Sequence, residues 1–462
     1  MVPYRSSRIL KAALVLYASP LPRGANRMKS RRSAHRNSFT RAFTITFVLF
    51  SFVLQSFATF TLDPTFANSS GKLTIAFPDS SMGYSSRGVR VFVQPSGRII
   101  AGGEFTWATP DGQLTGVAMV GLTPAGALDT TYGSGASVLD WRSDASPSFR
   151  DGLMYADGRT LRLSQVFRLP VGSSTVQTVR LTESGAADSV FASNVSIGPC
   201  CFGFFNARPV QIAVRSDGKI LALITDQGEY FLYRLNPDGT RDTTFGVNGV
   251  LGIVFNKFSP TNLVEMIALS DGRILLIGHV TGSNEFFLAR LAASGNWDKT
   301  FGRVGFVRME FGAGTGRVQK AVLQPDGNIL LAGSITDSDT DVWMMRLRSN
   351  GRVDTSFGTN GVVIRDFASA GTDVATAATL SADGKIRLAG YLGSPENFLV
   401  ARFGANGVFE ESTSIAFTPN QYAIANDVTL QPDGKLLVIG YTRNPNTSAT
   451  TGSAWAIARL TE

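Results

Sequence analysis

The sequence predicts an all-β fold: a seven-bladed β-propeller of four-stranded antiparallel blades, closed by its own termini. Three observations predict it. A short turn recurs seven times, a second element recurs between the turns, and the two ends of the chain carry complementary halves of that second element. Apolar residues also alternate along the chain, as in half-buried strands. The 48 glycines suit many short strands joined by tight turns.

The recurring turn is an Asp-Gly pair, replaced by Ser-Gly in the first copy. Its best-preserved copies read Gln-Pro-Asp-Gly followed by an apolar run, at 324–333 and 431–440. Asp-Gly between two apolar runs predicts a tight hairpin, because glycine adopts the positive φ that the turn requires. The seven turns stand at 96–97, 157–158, 217–218, 271–272, 326–327, 383–384 and 433–434.

The second element joins an Arg to an acidic residue eight positions later and then to a Phe, as in residues 234–246. Asp and Thr can cap turn N–H groups and Phe can fill the gap between blades, so we interpret the element as scaffold and expect its phenylalanines to be buried. The Arg pairs with its own acidic residue or with a neighbouring blade; an anion-binding ring of arginines around the channel is the alternative. The repeated structural residues include Asp242, Phe245, Asp298, Phe301, Asp354 and Phe357.

Each repeat predicts four strands, which in the sixth copy are 361–367, 374–380, 385–392 and 397–403. The chain ends support closure into a ring. Arg459 begins an element that stops before its Asp and Phe, whereas residues 62–66 supply Asp-Pro-Thr-Phe with no preceding Arg strand. A ring needs this joint and a linear array of repeats does not. The predicted propeller therefore spans residues 62–462.

These motifs resemble a known family. The Gln-Pro-Asp-Gly hairpin together with the Asp-Thr-Thr-Phe-Gly connector is similar to the delta-60 repeat of bacterial exported proteins. The resemblance covers residues 62–462, is weak in the second copy, and departs at Glu410-Glu411-Ser412 in the sixth. It implies a β-propeller in an exported protein, and it supplies no catalytic residue that could be carried over to this chain.

The net charge of +8 comes from the N-terminal leader. Ten of the 43 Lys and Arg residues lie in the first 60 positions, where there is no Asp or Glu, so the remainder carries 33 basic and 35 acidic residues. We therefore expect no nucleic-acid partner. Residues 28–58 have the parts of a signal peptide cleaved after Ala58. Residues 1–27 are interpreted as an extension that results from assigning the start codon too far upstream. An uncleaved anchor formed by residues 42–60 is the alternative.

This leader predicts export to the extracellular space, the cell surface or the periplasm, with no membrane span in the mature chain. Cys200 and Cys201 are the two cysteines, and their adjacency fits either a strained vicinal disulfide or two small core residues. His279 is the one histidine after the leader, so a multi-histidine metal centre is excluded, and no Gly-x-Ser-x-Gly motif accompanies it. No catalytic or cofactor-binding residue is predicted.

One acidic run is a candidate metal site. Asp337, Asp339 and Asp341 alternate along the chain, and clustered carboxylates are ligands that Ca²⁺ prefers. Val342 and Arg348 break the EF-hand pattern, and a solvated acidic loop is the other interpretation.

Loop length varies between copies, which fits either binding through one rim of the ring or tolerated drift in exposed loops. We therefore expect a monomeric, non-enzymatic binding or scaffold module for a protein or a glycan. The alternative is an exported carbohydrate-active hydrolase or lyase with paired carboxylates in the central channel.

Overall fold

The computed structural model separates the chain into residues 1–56 and residues 57–462. The predicted leader (1–27), the predicted signal peptide (28–58) and the Cys200–Cys201 pair lie outside the described residues. The structure describes residues 59–76, 86–109, 112–140, 145–168, 173–191, 195–197, 206–255, 261–280, 282–312, 314–368, 371–393, 396–417, 421–443 and 453–462.

The described residues form 29 strands and no helix, arranged as seven antiparallel sheets. The strands of the first three sheets are β3 (Ser86–Val93), β4 (Ile99–Thr109), β5 (Gly112–Leu122), β6 (Ser137–Asp140); β7 (Ala145–Met154), β8 (Thr160–Arg168), β9 (Ser173–Leu181), β10 (Val195–Ile197); β11 (Arg208–Val214), β12 (Ile220–Asp226), β13 (Glu229–Leu235) and β14 (Val250–Ile253). Those of the next three are β15 (Thr261–Ala268), β16 (Ile274–Val280), β17 (Glu285–Leu291), β18 (Phe306–Glu310); β19 (Thr315–Leu323), β20 (Ile329–Thr336), β21 (Thr340–Leu347), β22 (Val362–Arg365); β23 (Val374–Leu380), β24 (Ile386–Leu392), β25 (Asn397–Phe403) and β26 (Phe409–Ile415). The seventh sheet combines β27 (Tyr422–Leu430), β28 (Leu436–Arg443) and β29 (Ala454–Thr461) with the N-terminal β1 (Thr61–Leu62) and β2 (Lys72–Ile75).

Each of the first six sheets is a four-stranded meander, in which every strand pairs with its neighbours in the sequence. The first strands of successive sheets contact one another all the way round, from β3 through β7, β11, β15, β19 and β23 to β27, and β27 contacts β3. The seven sheets are therefore the blades of a closed ring whose first strands line the axis, which confirms the predicted fold class.

The boundaries of a blade are offset by one strand from the boundaries of the sequence repeat. Val362–Arg365, which we grouped with the sixth copy, pairs with β21 and is the outermost strand of the fifth blade. The repeat has no natural start in a closed ring, because each unit contributes the outer strand of one blade and three strands of the next.

The termini close the seventh blade as predicted. Thr61 pairs with Thr461, and Lys72 pairs with Ala458. Arg459 Nε lies 2.7 Å from Asp63 Oδ2, so an Arg from the last strand completes its connector with an Asp from the first.

The hydrophobic core consists of layers between adjacent blades. One layer packs Phe286 of the fourth blade against Trp343 of the fifth. Because strands alternate in direction, the turns between first and second strands and the connectors between third and fourth strands lie on one side of the ring, here called the hairpin face. The ends of the second and fourth strands and the starts of the first and third strands lie on the other side, here called the loop face. No helix among the described residues is long and apolar enough to cross a membrane.

Candidate functional site

The connectors on the hairpin face are structural joints. Arg290 Nε lies 2.7 Å from Asp298 Oδ2, its guanidinium stacks 4.5 Å from the ring centre of Phe301, and its Nη1 donates to the Ser349 carbonyl of the next blade. Each Arg thus makes both contacts that the sequence left open. Equivalent ion pairs are Arg180–Asp188, Arg234–Asp242, Arg346–Asp354, Arg402–Glu410 and Arg459–Asp63.

The connector side chains are buried. Phe245, Phe301 and Phe357 are at most 1% exposed, and Asp242, Asp298 and Asp354 are also buried. The arginines lie on third strands and not on the strands that line the axis, so the hypothesis of an anion-binding arginine ring around the channel is wrong. Burial alone would raise the pKa of Asp298, but hydrogen bonds from Thr300, Arg273 and Arg290 outweigh it and hold that pKa far below its usual value.

The central channel carries a polar belt that the repeat does not reveal. Every first strand has a β-bulge at the same level, and bulges commonly re-aim a side chain. The residues that follow the bulges, here called the channel belt, are Arg90, Asp151, Gln211, Glu265, Lys320, Ala377 and Asp427.

The charged members of the belt neutralise one another. Arg90 Nε lies 2.8 Å from Asp151 Oδ1, and Arg90 Nη1 lies 3.7 Å from Asp427 Oδ1. Lys320 Nζ lies 3.0 Å from Glu265 Oε1. Each of the three belt carboxylates therefore has a cationic partner.

The belt also joins neighbouring blades. Val91 N–H donates to Asp427 Oδ2 at 3.1 Å, and Ile212 N–H donates to Asp151 Oδ2 at 2.9 Å. These N–H groups belong to the inner edges of their sheets, where no further strand can pair with them. Burial raises the pKa of Asp427, although Arg90 and Lys320 oppose the shift.

The belt borders a cavity of about 530 Å³, which Arg90, Asp151, Lys320 and Asp427 line together with first-strand residues closer to the hairpin face. Carboxylates therefore do converge in the channel, as a carbohydrate-active enzyme would need. However, Arg90 occupies the space between Asp151 and Asp427.

Three arginines crowd together between the belt and the loop face. Arg87 and Arg208 stand near the loop-face ends of their strands, and Arg150 is the bulge residue of the second blade. Arg87 Nη2 lies 3.4 Å from Glu104 Oε1, whereas Arg150 and Arg208 are exposed and form no ion pair with a described carboxylate. The pKa of Arg150 is lowered by burial and by repulsion from Arg87 and Arg208, against an opposing attraction from Glu104.

An acidic cluster lies on the same face, on the far side of the ring. Carboxylate oxygens of Asp339, Asp341 and Asp366 all lie within 4.8 Å of one another. Asp337, the third member of the predicted acidic run, is exposed and does not belong to this group. The group instead combines Asp339 and Asp341 with Asp366, which lies in the connection that follows the fifth blade. The sequence missed Asp366 because only the fold brings that connection beside the run.

His279 lies within the scaffold. Its Nε2 is 3.1 Å from Val318 N and 3.0 Å from Val318 O in the next blade, and its ring stacks on Phe311. Burial lowers its pKa. His279 therefore joins blades, and the contacts described for it, with Val318 and Phe311, include no nucleophile.

Comparison with known families supports a propeller repeat protein. Five segments match the family described as "Domain of unknown function (DUF5122) beta-propeller": residues 94–132, 215–245, 269–301, 324–357 and 431–462. Each segment begins at a hairpin turn, and most run to the connector Phe. A search of curated proteins gives no match.

Solved structures that resemble the chain do so distantly. A protein of unknown function from Dyadobacter fermentans is 12% identical, with 85% of this chain and 99% of that chain covered and a TM-score of 0.43. A protein from Lactobacillus plantarum is 14% identical, with coverage of 79% and 99% and a TM-score of 0.45. The β-propeller domain of the Trilobed protease from Pyrococcus furiosus is 10% identical, with coverage of 81% and 94% and a TM-score of 0.43.

Proposed function

We propose that the protein is an exported, monomeric, non-enzymatic binding module built from delta-60 repeats. It takes an anionic partner, glycan or protein, at the loop-face end of its channel. The observation that carries this proposal is the group Arg87, Arg150 and Arg208, here called the arginine group. Its members Arg150 and Arg208 are exposed residues without a carboxylate partner among the described residues.

The electrostatics of the arginine group favour an anion. Glu104 attracts both Arg87 and Arg150, and the charged form of Arg150 is disfavoured first by burial and then by repulsion from Arg87 and Arg208. Guanidinium groups bind carboxylate, sulfate and phosphate through paired N–H donors. A bound anion would relieve this repulsion, and a channel mouth of one charge sign would raise its local concentration.

The channel belt supports a binding role over catalysis. A general acid must hold a proton and reach the leaving group, yet Asp151, Glu265 and Asp427 are each tied to a cation. One observation favours the alternative hydrolase: Asp427 has a raised pKa. If the alternative holds, Asp427→Asn abolishes hydrolysis of a polysaccharide panel by the purified protein. If the binding proposal holds, wild type and variant both leave the panel intact.

The binding proposal is tested by calorimetric titration of the purified protein with three ligands: a sulfated oligosaccharide, its unsulfated counterpart and an acidic peptide. We expect the anionic ligands to bind and the neutral sugar not to bind. Affinity should fall steeply with salt, because exposed charges are screened within about 8 Å at physiological ionic strength.

The variant to compare is Arg150→Ala combined with Arg208→Ala. Its control is Arg273→Ala on the hairpin face, which removes a cation that already pairs with Asp271. We expect the double variant to lose at least about tenfold in affinity, or about 1.4 kcal/mol, and the control to bind like wild type. Equal binding of the sulfated and unsulfated sugars, or equal losses in both variants, would overturn the proposal.

The exported location rests on the basic stretch, apolar run and small-residue site of residues 28–58. Mass spectrometry of the protein from its exporting host should give a mature chain that begins just after Ala58. A mature chain that still carries Arg31 and Arg32 would favour the anchor.

A further inference from the structure

The acidic cluster lies where the fifth blade meets the connection to the sixth. Asp339 and Asp341 flank the start of β21 in the fifth blade, and Asp366 follows β22, the outermost strand of that blade. Asp373 precedes β23, the first strand of the sixth blade. Thr340 bridges Thr372 in parallel, and Asp373 N–H donates to the Thr340 carbonyl at 2.7 Å. Thr372 and Asp373 therefore lie directly beside the acidic run.

Two carboxylate oxygens at this place are buried without a hydrogen bond. Asp373 is only 1% exposed; its Oδ2 accepts from the N–H groups of Phe367 and Ala368, but its Oδ1 has no partner. Asp341 Oδ1 is likewise buried and unpartnered. A buried carboxylate oxygen with no donor is costly, and native structures satisfy such atoms with water or an ion.

The charges around Asp341 all have the same sign. Carboxylate oxygens of Asp339 and Asp366 lie within 4.8 Å of that of Asp341, and the carboxylate of Asp373 also acts on Asp341. Four carboxylates thus act on one another, whereas every connector carboxylate on the hairpin face has an Arg or Lys within 4 Å.

We propose that Asp339, Asp341 and Asp366 bind one Ca²⁺ ion, with Asp373 behind them as a fourth carboxylate. Ca²⁺ takes six to eight oxygen ligands in flexible geometry, so three carboxylates, backbone carbonyls and water suit it. A smaller ion such as Mg²⁺ demands a near-ideal octahedron and keeps most of its water. The ion joins the loop of the fifth blade to the connection that leads into the sixth.

The test is thermal melting and calorimetric titration of the purified protein in EDTA, in CaCl₂ and in MgCl₂. We expect saturating Ca²⁺ to raise the melting temperature by roughly 3 °C, because a ligand that binds only the folded state stabilises it. Asp341→Asn should weaken Ca²⁺ binding at least about tenfold and remove the shift. Asp337→Asn, an exposed neighbour outside the cluster, should respond like wild type.

Melting in EDTA distinguishes a variant that folds poorly from one that has only lost the metal site. Asp341→Asn removes a buried charge among like charges, so without metal it should melt no lower than wild type. The proposal is overturned if Ca²⁺ neither binds nor shifts the wild-type melt. It is overturned equally if Asp341→Asn keeps the shift, or if Mg²⁺ gives the same shift as Ca²⁺.

Discussion

The two faces of the ring use the same residue types in opposite ways. On the hairpin face each connector Arg is paired with an acidic side chain and, in most blades, donates to a carbonyl of the next blade, as Arg290 does with Asp298 and Ser349. On the loop face Arg150 and Arg208 have no described carboxylate partner, and Asp341 is surrounded by other carboxylates. Charges satisfied within the fold stabilise it, whereas unsatisfied charges are available to a ligand.

This difference separates scaffold from function within one chain. A residue that every blade repeats serves the joints that every blade needs. Residues such as Arg150, Arg208 and Asp366 stand outside the repeated motifs, and it is these that gather into charged groups.

The largest effect should follow from opening the ring at its scaffold. Deleting residues 59–76 removes both N-terminal strands and the Asp63 partner of Arg459. β29 would then be an unpaired edge, which promotes association between chains. We expect loss of the cooperative melt, together with oligomers in size-exclusion chromatography. A monomer with the wild-type melting temperature would contradict closure.

Next in size is the loss of a connector phenylalanine. Phe301→Ala should lower the free energy of unfolding by about 3–5 kcal/mol, because a buried ring leaves a cavity. The matched control is Val304→Ala, three residues along the same connector, where the side chain is 57% exposed and the loss should stay within about 0.5 kcal/mol. Denaturant unfolding measures both. Similar losses in the two variants would mean that the connector is not a packing element.

The connector ion pair should matter less than its phenylalanine. Asp298→Ala leaves Arg290 buried without its carboxylate, which should cost about 3 kcal/mol by chemical denaturation. Glu285→Ala is the control, since its partner Arg308 is 41% exposed and surface pairs contribute at most about 1 kcal/mol. A loss in Asp298→Ala no larger than that of the control would remove the connector from the scaffold.

The sequence predicted the hairpin face in detail because its interactions are local or repeat identically. The Arg and the Asp of a connector are eight residues apart, and seven hairpin turns fix the blade count. Even closure could be predicted, because the missing half of the last connector stands at residues 62–66.

The loop face could not be predicted in the same way. Arg87, Arg150 and Arg208 meet only because the first strand of every blade lines the axis, and the repeat does not indicate which strand is innermost. Asp366 joins Asp339 and Asp341 through an inter-blade connection with no repeated motif. The sequence therefore found two of the three clustered carboxylates and named Asp337 in place of the third.

A smaller effect distinguishes the faces by pH. Asp63, Asp242 and Asp298 have pKa values lowered in the fold, so their stabilisation is complete above the unfolded pKa of about 3.9 and is lost as pH falls below it. Asp341 and Asp373 have raised pKa values, so without metal their contribution declines as pH rises from about 3.9 through those values.

This contrast is tested by measuring the free energy of unfolding in EDTA at a series of pH values from about 3 to about 7. In Asp298→Asn, the free energy of unfolding should fall less steeply toward acid pH than in wild type. In Asp341→Asn, it should be higher relative to wild type near neutral pH. If both variants change the free energy of unfolding in the same pH range and in the same direction, the two faces do not differ as described.

The claim that paired charges on the hairpin face stabilise the fold, whereas unpaired charges near the loop face do not, is tested most directly by comparing the melting temperatures of two arginine variants. Arg290→Ala, on the hairpin face, removes a paired and buried cation and should lower the melting temperature by several degrees. Arg150→Ala combined with Arg208→Ala, at the loop face, removes mutually repelling cations and should leave it unchanged or slightly higher. A double variant that melts well below wild type while Arg290→Ala melts normally would contradict the account.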